Sequence, residues 1–593
     1  MPANDQVLRF KTLPGLARSF RDWGRAGGPR FAPDVAGATA DERRVLGALG
    51  AVAAAVGNEH VATWPEPVRE WAERAPPCPA ELADGVCEAL GAGIDPLPTL
   101  YDASISRAHR RRLGTVFTPA PVVDHMLDLA AKVMRGAPDS VADPGAGVGA
   151  FTVAAARRWP KARVIAVDVN VVTLGLLAAR IAFEIDAEFA DAAALRRIEL
   201  VHGDYLDGLS DRFGAGDGRL LCLGNPPYTR VQELPADYRA KAMSLCDGIV
   251  DSGHANLAVL FQAATLRQLR DGDASCMVLP GSIGYTRASR GLRSALWNSR
   301  RPVVMQRTPA SSRPFTGNCV QAAVVAVGPV TAEQSPVRLA RVRFDDDAAV
   351  MIDAWERDRD ADEPANWFWT AQAEQSEPDG TVPLSELAVV CRGVATGANA
   401  VFFLTDAEAA RLPAEVVVPG AATLKRFTKA ELNRAAHRTW GGDDAKRWLL
   451  AIPADHKVSG ALRAYLSRFE AEVSTRFLPS QREPWYALTG LGTPDLLISP
   501  LSKTGFKVVV NTVRAVPSNN LYGITMRNGT RARALADWLR SDDGQQALLR
   551  ASRRYHGGSH KLEPGELKRV PVPAALAKPS GLAKPSRPAK SRS

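Results

Sequence analysis

Between about residue 110 and residue 330, short apolar runs alternate with stretches patterned for helix, and this alternation restricts the fold more than any other feature of the chain. The runs are Ser140–Ala142, Arg163–Val167, Ile198–Val201, Leu220–Leu223, Ser275–Leu279, Val303–Gln306 and Val320–Val327. Strands joined by helical crossovers pair in parallel, so an α/β domain with a largely parallel sheet is expected. Ligands of such sheets bind beyond the carboxyl ends of the strands. Those ends carry the unusual residues of this sequence.

The first run leads into Asp143-Pro144-Gly145-Ala146-Gly147-Val148-Gly149-Ala150-Phe151 and then the helix-like Thr152–Arg158. Glycines let the backbone turn tightly and approach a ligand, although structural turns use the same residues. Asp168 ends the next run, 25 residues after Asp143, about where a strand-end carboxylate accepts ribose hydroxyls. Asp204 follows Leu200-Val201-His202-Gly203 at a third strand end. Each of these two acids is equally suited to capping the helix that follows it. The turn lacks the G-x-x-x-x-G-K-[ST] pattern and its phosphate-binding lysine, so a nucleoside-type cofactor without a phosphate chain fits better.

Gly224-Asn225-Pro226-Pro227-Tyr228 directly follows Leu220–Leu223. Two successive prolines remove two N–H donors and stiffen the turn, leaving its carbonyls free as acceptors. An array of acceptors suits an amino group. Asn225 adds a side-chain carbonyl, and Tyr228 offers an aromatic face to a flat base.

Taken in order, Phe117-Thr118-Pro119, the glycine motif Asp143–Phe151, Asp168, Asp204 and Asn225–Tyr228 resemble the gamma-type DNA adenine methyltransferases, the TaqI-like enzymes with an N-P-P-Y motif. The resemblance covers about 110 to 330. It implies a Rossmann-like seven-stranded methyltransferase domain that uses S-adenosyl-L-methionine. Thr118 and Pro119 would lie by the methionine end of the cofactor. Asp143, Gly147 and Gly149 would line its amino-acid and sulfonium region, with Phe151 counted among the cofactor residues. Asp168 would hold the ribose, and Asp204 the adenine amino group. Asn225, Pro226 and Tyr228 would hold the target adenine, flipped out of double-stranded DNA and stacked between Tyr228 and Phe315, the latter in a stretch similar to the family's late motif. Gly145 stands at a variable position of the glycine motif and receives no contact.

The rest of the chain divides around this domain. At 593 residues it is long enough for two to four folding units. Residues 1–105 read as a helical N-terminal region and 106–330 as the catalytic domain. Residues 331–381, with the acidic Asp345–Asp347 and the aromatic Trp367-Phe368-Trp369, read as a connector. A mixed α+β target-recognition domain is expected over 382–577 and a disordered basic tail over 578–593. From Ala421 to Ser593 there are 30 Lys and Arg against 13 Asp and Glu, whereas the first 420 residues carry a net −7. A basic segment on an acidic remainder suggests that one part meets a polyanion while the other holds the chemistry. Within the expected target-recognition domain Cys391–Asn399, Ser518–Tyr522 and Tyr555–Leu562 resemble target-recognition loops; in the catalytic domain Arg287, Arg290 and Arg293 recur every third residue and suit either one helix face toward phosphates or a solvated face.

Seven cysteines with no C-x-x-C pair give neither a zinc site nor a disulfide framework, and no metal is expected. No run reaches the roughly 18–20 apolar residues of a membrane span, so a cytoplasmic protein is expected. The N-terminal hundred residues lack the D…E-x-K arrangement of a metal-dependent nuclease, so any cognate restriction nuclease would be a separate partner. The competing readings are a protein glutamine or RNA methyltransferase, a non-catalytic DNA-binding specificity protein, and a modification subunit that needs a partner for recognition.

Overall fold

The computed structural model describes residues 12–27, 38–106, 109–110, 117–189, 191–250, 255–309, 321–345, 348–360, 363, 367–368, 380–527, 531–554 and 559–577. The chain forms two compact units, Met1–Thr370 and Ala371–Ser593.

The first unit is built on one sheet of nine strands: β1 (Ser140–Pro144), β2 (Arg163–Asp168), β3 (Ile198–His202), β4 (Leu220–Gly224), β5 (Ala274–Pro280), β6 (Val303–Arg307), β7 (Ala322–Val327), β8 (Val337–Phe344) and β9 (Ala349–Arg357). Their order is β3-β2-β1-β4-β5-β7-β6-β8-β9. From β3 to β5 all neighbours are parallel, while β7 runs antiparallel to both β5 and β6. The first seven strands are the expected Rossmann-like set. Strand order reverses between β1 and β4, and the crevice above that reversal is where a doubly wound sheet accepts a ligand.

Two expectations need correction. The connector expected over 331–381 contains β8 and β9, which extend the sheet. Val337 and Leu339 of β8 enter the core on one face, and Ala340, Val342 and Phe344 the core on the other. The intervening arginines hid this alternation in the sequence. They stay exposed, and Arg338 and Arg341 pair with Glu356 and Asp353, directly opposite them on β9.

The N-terminal region is built of helices. Its helices Leu13–Gly27, Ala40–Gly57, Glu66–Glu73, Ala80–Gly91 and Leu97–Ser104 share one apolar core with Val141, Val164 and the helix Val171–Asp186. Gly175 is the notch that permits this packing, since a Cβ there would lie 2.3 Å from the buried Trp71 ring. The segment Ala40–Thr63 is long and apolar enough by length and composition to cross a bilayer, contrary to the expectation from sequence. Its Leu46, Leu49 and Val52 are buried in that core.

The second unit is mixed α+β. An antiparallel sheet of Ala388–Arg392, Tyr522–Met526, Leu496–Ile498 and Val508–Val510 packs Leu496, Ile498 and Ile524 together with Leu535, Leu539 and Leu548 of the helices Ala532–Arg540 and Asp542–Ala551. A second four-stranded sheet, Phe403–Leu404, Trp448–Leu450, Val417–Ala421 and Val516–Pro517, has its own core around Phe402, Phe403 and Leu449.

Candidate active site

The loops after β1 and β4 meet above the strand-order reversal. Gly145, Gly147 and Gly149 all have positive φ, at 71°, 58° and 86°. The Gly145 and Ala146 N–H groups donate to the Val167 carbonyl, which folds the loop back over β2. At Gly149 a Cβ would fall 2.1 Å from Leu177 Cδ1, so the loop is seated directly on the helix Val171–Asp186. Gly147 is different: the space beside its Cα is open to 4.0 Å, where Phe117 Cε1 begins. The loop from β4 approaches at Gly145, where a Cβ would lie 3.5 Å from Pro227 Cδ. Gly145, left without a contact from sequence, is therefore where the two loops touch.

Asp143 is buried to 1% exposure and accepts a 2.6 Å hydrogen bond from the Thr152 hydroxyl. Burial pushes its carboxyl up to about 7, and the nearby charge of Asp168 adds to the rise. Gly224 makes room for it, since a Cβ there would stand 2.6 Å from Asp143 Oδ1. Asp168 accepts one N–H on each oxygen: Gly147 on Oδ2 at 2.7 Å and Asn170 on Oδ1 at 2.8 Å. Burial raises its carboxyl as well, against the pull of these two donors. Each carboxylate oxygen keeps a lone pair for a ligand hydroxyl.

Asp204 caps the helix Tyr205–Gly208 by accepting the Leu206 N–H on Oδ1 at 2.9 Å, while Oδ2 faces Lys241 Nζ at 3.5 Å. The capping role weighed from sequence is thus occupied, and the second oxygen is balanced by a cation that sequence reading did not single out.

Asn225 is partly buried. Its Nδ2 donates to Thr118 Oγ1 at 3.1 Å, and its buried Oδ1 has no hydrogen-bond partner among the described residues. With Nδ2 directed to Thr118, the end of the amide left over is an acceptor. Pro119 precedes the helix Ala120–Met134, whose first turn its carbonyl caps. Pro226 is buried, and the Tyr228 ring packs against core residues of both sheet faces. The Tyr228 hydroxyl is buried without a partner among the described residues, and burial raises its pKa. Phe151, expected with the cofactor residues, is a core residue at 4% exposure. It lies on the buried side of the helix Ala150–Arg158. Phe315 lies outside the described residues. Among the described residues no group of three or more His, Cys, Asp or Glu could hold a metal ion.

Residues 370–588 match the family model for the C-terminal domain of the type II methyltransferase M.Eco57I. The type II methyltransferase M.XamI of Xanthomonas campestris pv. amaranthicola is 25% identical over 498 residues, which are 80% of this chain and 87% of that protein. This chain is similar to type II methyltransferases. A second such relative, M.AccI of Acinetobacter calcoaceticus, is 21% identical over 79% of this chain and 87% of its own. Among solved structures, the type IIL restriction-modification enzyme MmeI in complex with DNA is 14% identical, with a TM-score of 0.51 over 96% of this chain and 82% of that one. That last likeness is one of fold.

The region matched by the family model holds the loops singled out from sequence. Two of them form one structure. Val394 N–H donates to the Pro517 carbonyl at 2.8 Å, Asn519 N–H returns to Val394 at 2.8 Å, and Asn399 Nδ2 donates to Asn519 Oδ1 at 2.9 Å. Gly393 is required at this junction, since a Cβ would meet the Ser518 carbonyl at 2.2 Å. Of the third loop, residues 555–558 lie outside the described residues. Arg287, Arg290 and Arg293 do not share one exposed helix face. The helix begins at Arg290, Arg287 and Arg290 are exposed, and Arg293 turns inward to the Ile283 and Thr286 carbonyls.

Proposed function

We propose that this chain is a site-specific DNA adenine-N6 methyltransferase that uses S-adenosyl-L-methionine, acting as the modification enzyme of a restriction-modification or phage-defence system. The observation that carries the proposal is the buried Oδ1 of Asn225, which has no hydrogen-bond partner among the described residues. A buried acceptor left unpaired costs about 1–3 kcal/mol, and an incoming N–H removes that penalty. The similarity to M.XamI and M.AccI supports methyl transfer to DNA, and the excess of basic residues after Ala421 supports contact with phosphates.

The residues present fit the cofactor. The open face of Gly147 leaves room for a ligand, and the remaining lone pairs of Asp168 suit ribose hydroxyls. Asp143, Gly147 and Gly149 would frame the amino-acid end and Asp168 the ribose; Asp204 would face the adenine beside Lys241. When bound, S-adenosylmethionine supplies an electrophilic methyl group on a sulfonium.

The protein's own part is positioning and electrostatics. An adenine amino nitrogen is a poor nucleophile because its lone pair is delocalised into the ring. Asn225 Oδ1 accepts one N–H of this group, with the Pro226 carbonyl as a second acceptor, and favours the pyramidal, electron-rich form aimed at the methyl. Thr118 holds the Asn225 amide in that orientation. The proton is lost after transfer, when the methylated ammonium is acidic, so no lysine or histidine base is needed. Because the amine cannot be reached inside a duplex, the base is flipped out, with Tyr228 and Phe315 as its stacking partners.

Incubation with labelled S-adenosylmethionine and separate DNA, RNA and protein acceptors tests this reading. Label recovered as N6-methyladenine nucleoside from digested DNA supports it. Label only in protein overturns it in favour of a glutamine methyltransferase, and label only in RNA does so in favour of RNA modification.

A further inference from the structure

The helical region ahead of the sheet contributes a side chain that reaches both halves of the site. Tyr101, on the helix Leu97–Ser104, is fully buried. Its hydroxyl accepts a 2.9 Å hydrogen bond from Asn170 Nδ2. Asn170 is committed on two other sides: its Oδ1 accepts the Val172 N–H and so caps the helix Val171–Asp186, and its own N–H donates to Asp168 Oδ1 at 2.8 Å. Cap, carboxylate and tyrosine therefore fix Asn170 in one position, and the Asp168 carboxylate with it.

The Tyr101 ring makes the second connection. It meets Phe117 edge-on, with centroids 5.7 Å apart and planes at 85°. Phe117 faces the open side of Gly147, and the next residue, Thr118, holds the Asn225 amide. One tyrosine thus braces the ribose carboxylate through its hydroxyl and the amine-binding corner through its ring.

We infer that Tyr101 is a positioning residue for methyl transfer, its hydroxyl setting cofactor affinity and its ring setting the chemical step. The inference rests on the reading of this site as a methyltransferase. It also assigns the N-terminal helices a part in the reaction.

The test compares Tyr101→Phe with Tyr101→Leu in the full-length protein. S-adenosylhomocysteine binding is measured by calorimetry, kcat at saturating cofactor by methyl transfer to DNA, and folding by thermal unfolding. Tyr101→Phe keeps the ring and loses one hydrogen bond. It should weaken S-adenosylhomocysteine binding about 3- to 10-fold and leave kcat unchanged. Tyr101→Leu should show the same weakening and also lower kcat about tenfold or more, as expected when a reacting group is misplaced. Equal binding by wild type and Tyr101→Phe overturns the hydroxyl's role. A Tyr101→Leu variant with wild-type kcat overturns the ring's role, and a fall in unfolding temperature alone in both variants overturns the whole inference. A wild type that binds no S-adenosylhomocysteine overturns the methyltransferase reading itself, and the inference with it.

Discussion

The Asn225 amide donates to the Thr118 hydroxyl at 3.1 Å across 107 residues of chain, and the other end of the same amide is a buried acceptor with no partner among the described residues. Thr118, which the resemblance places by the methionine end of the cofactor, is thus also tied to Asn225. Asn225→Ala should lower kcat by roughly 10²–10³-fold, the loss typical of deleting one preorganised electrostatic contact, while leaving S-adenosylhomocysteine affinity unchanged. Thr118→Val keeps the side-chain shape and frees the amide to rotate. It should lower kcat by about 3- to 10-fold, the worth of one hydrogen bond. Single-turnover methylation with cofactor in excess measures both, and a Thr118→Val rate equal to wild type would show that the contact has no part in the reaction.

Gly147 and Gly149 of the loop after β1 should fall into two classes. Gly149→Ala meets both a φ of 86° and Leu177 Cδ1 at 2.1 Å, so left-handed strain and overpacking combine to about 2–4 kcal/mol of lost stability. Gly147→Ala has φ 58° but no neighbour closer than 4.0 Å, and strain alone costs about 1–2 kcal/mol. Its added methyl enters the space offered to the ligand, so cofactor affinity should fall more than stability. Denaturant unfolding and calorimetric titration on the two variants resolve the classes.

Asp143 gives the unit a stability that depends on pH. Its carboxyl is raised by burial from the ordinary 3.8 to about 7, so the native state holds a proton that the unfolded chain has released over that interval. Stability from this group is therefore present below about pH 4 and is lost as pH rises toward 7, by about 4 kcal/mol in all. Asp143→Asn removes the ionisation and can still accept from Thr152. Relative to wild type it should be near neutral at pH 4.5 and more stable at pH 8. Paired unfolding curves at the two pH values measure the difference, and a constant gap between them would mean that Asp143 does not titrate in this interval.

What the sequence made legible here was local. Strand, glycine turn and N-P-P-Y corner are each written in a few consecutive residues, because tight turns demand glycine and a donor-free corner demands proline. The braces could not be read in the same way. Tyr101 and Asn170 are 69 residues apart, and nothing in LPTLYDAS distinguishes this tyrosine from any other core aromatic. Lys241 beside Asp204 and Thr118 beside Asn225 are likewise products of the fold. The spacing of Arg287, Arg290 and Arg293 could not decide between a phosphate-facing and a solvated face, because the helix starts only at Arg290, after a tighter turn that rotates the earlier residue away. In β8 the alternation was present, but three arginines between apolar residues resemble a solvated segment until β9 supplies carboxylates opposite two of them.

The basic excess beyond Ala421 includes Lys578, Lys584, Arg587, Lys590 and Arg592 within the last sixteen residues, with no acid among them. On the DNA-binding reading, each cation that sits on a duplex phosphate displaces a counterion and adds about −0.9 to the slope of log K against log salt. Truncation after Ala577 should flatten that slope by up to about 4–5 if all five cations make phosphate contacts, and should weaken binding to specific and non-specific duplexes alike. Phosphate contacts position a protein and carry no sequence information, so the ratio of the two affinities should not change. Fluorescence anisotropy across a salt series, on full-length and truncated protein, measures slope and ratio together. An unchanged slope would mean that the tail makes no phosphate contact, and an altered ratio would mean that it takes part in reading the bases.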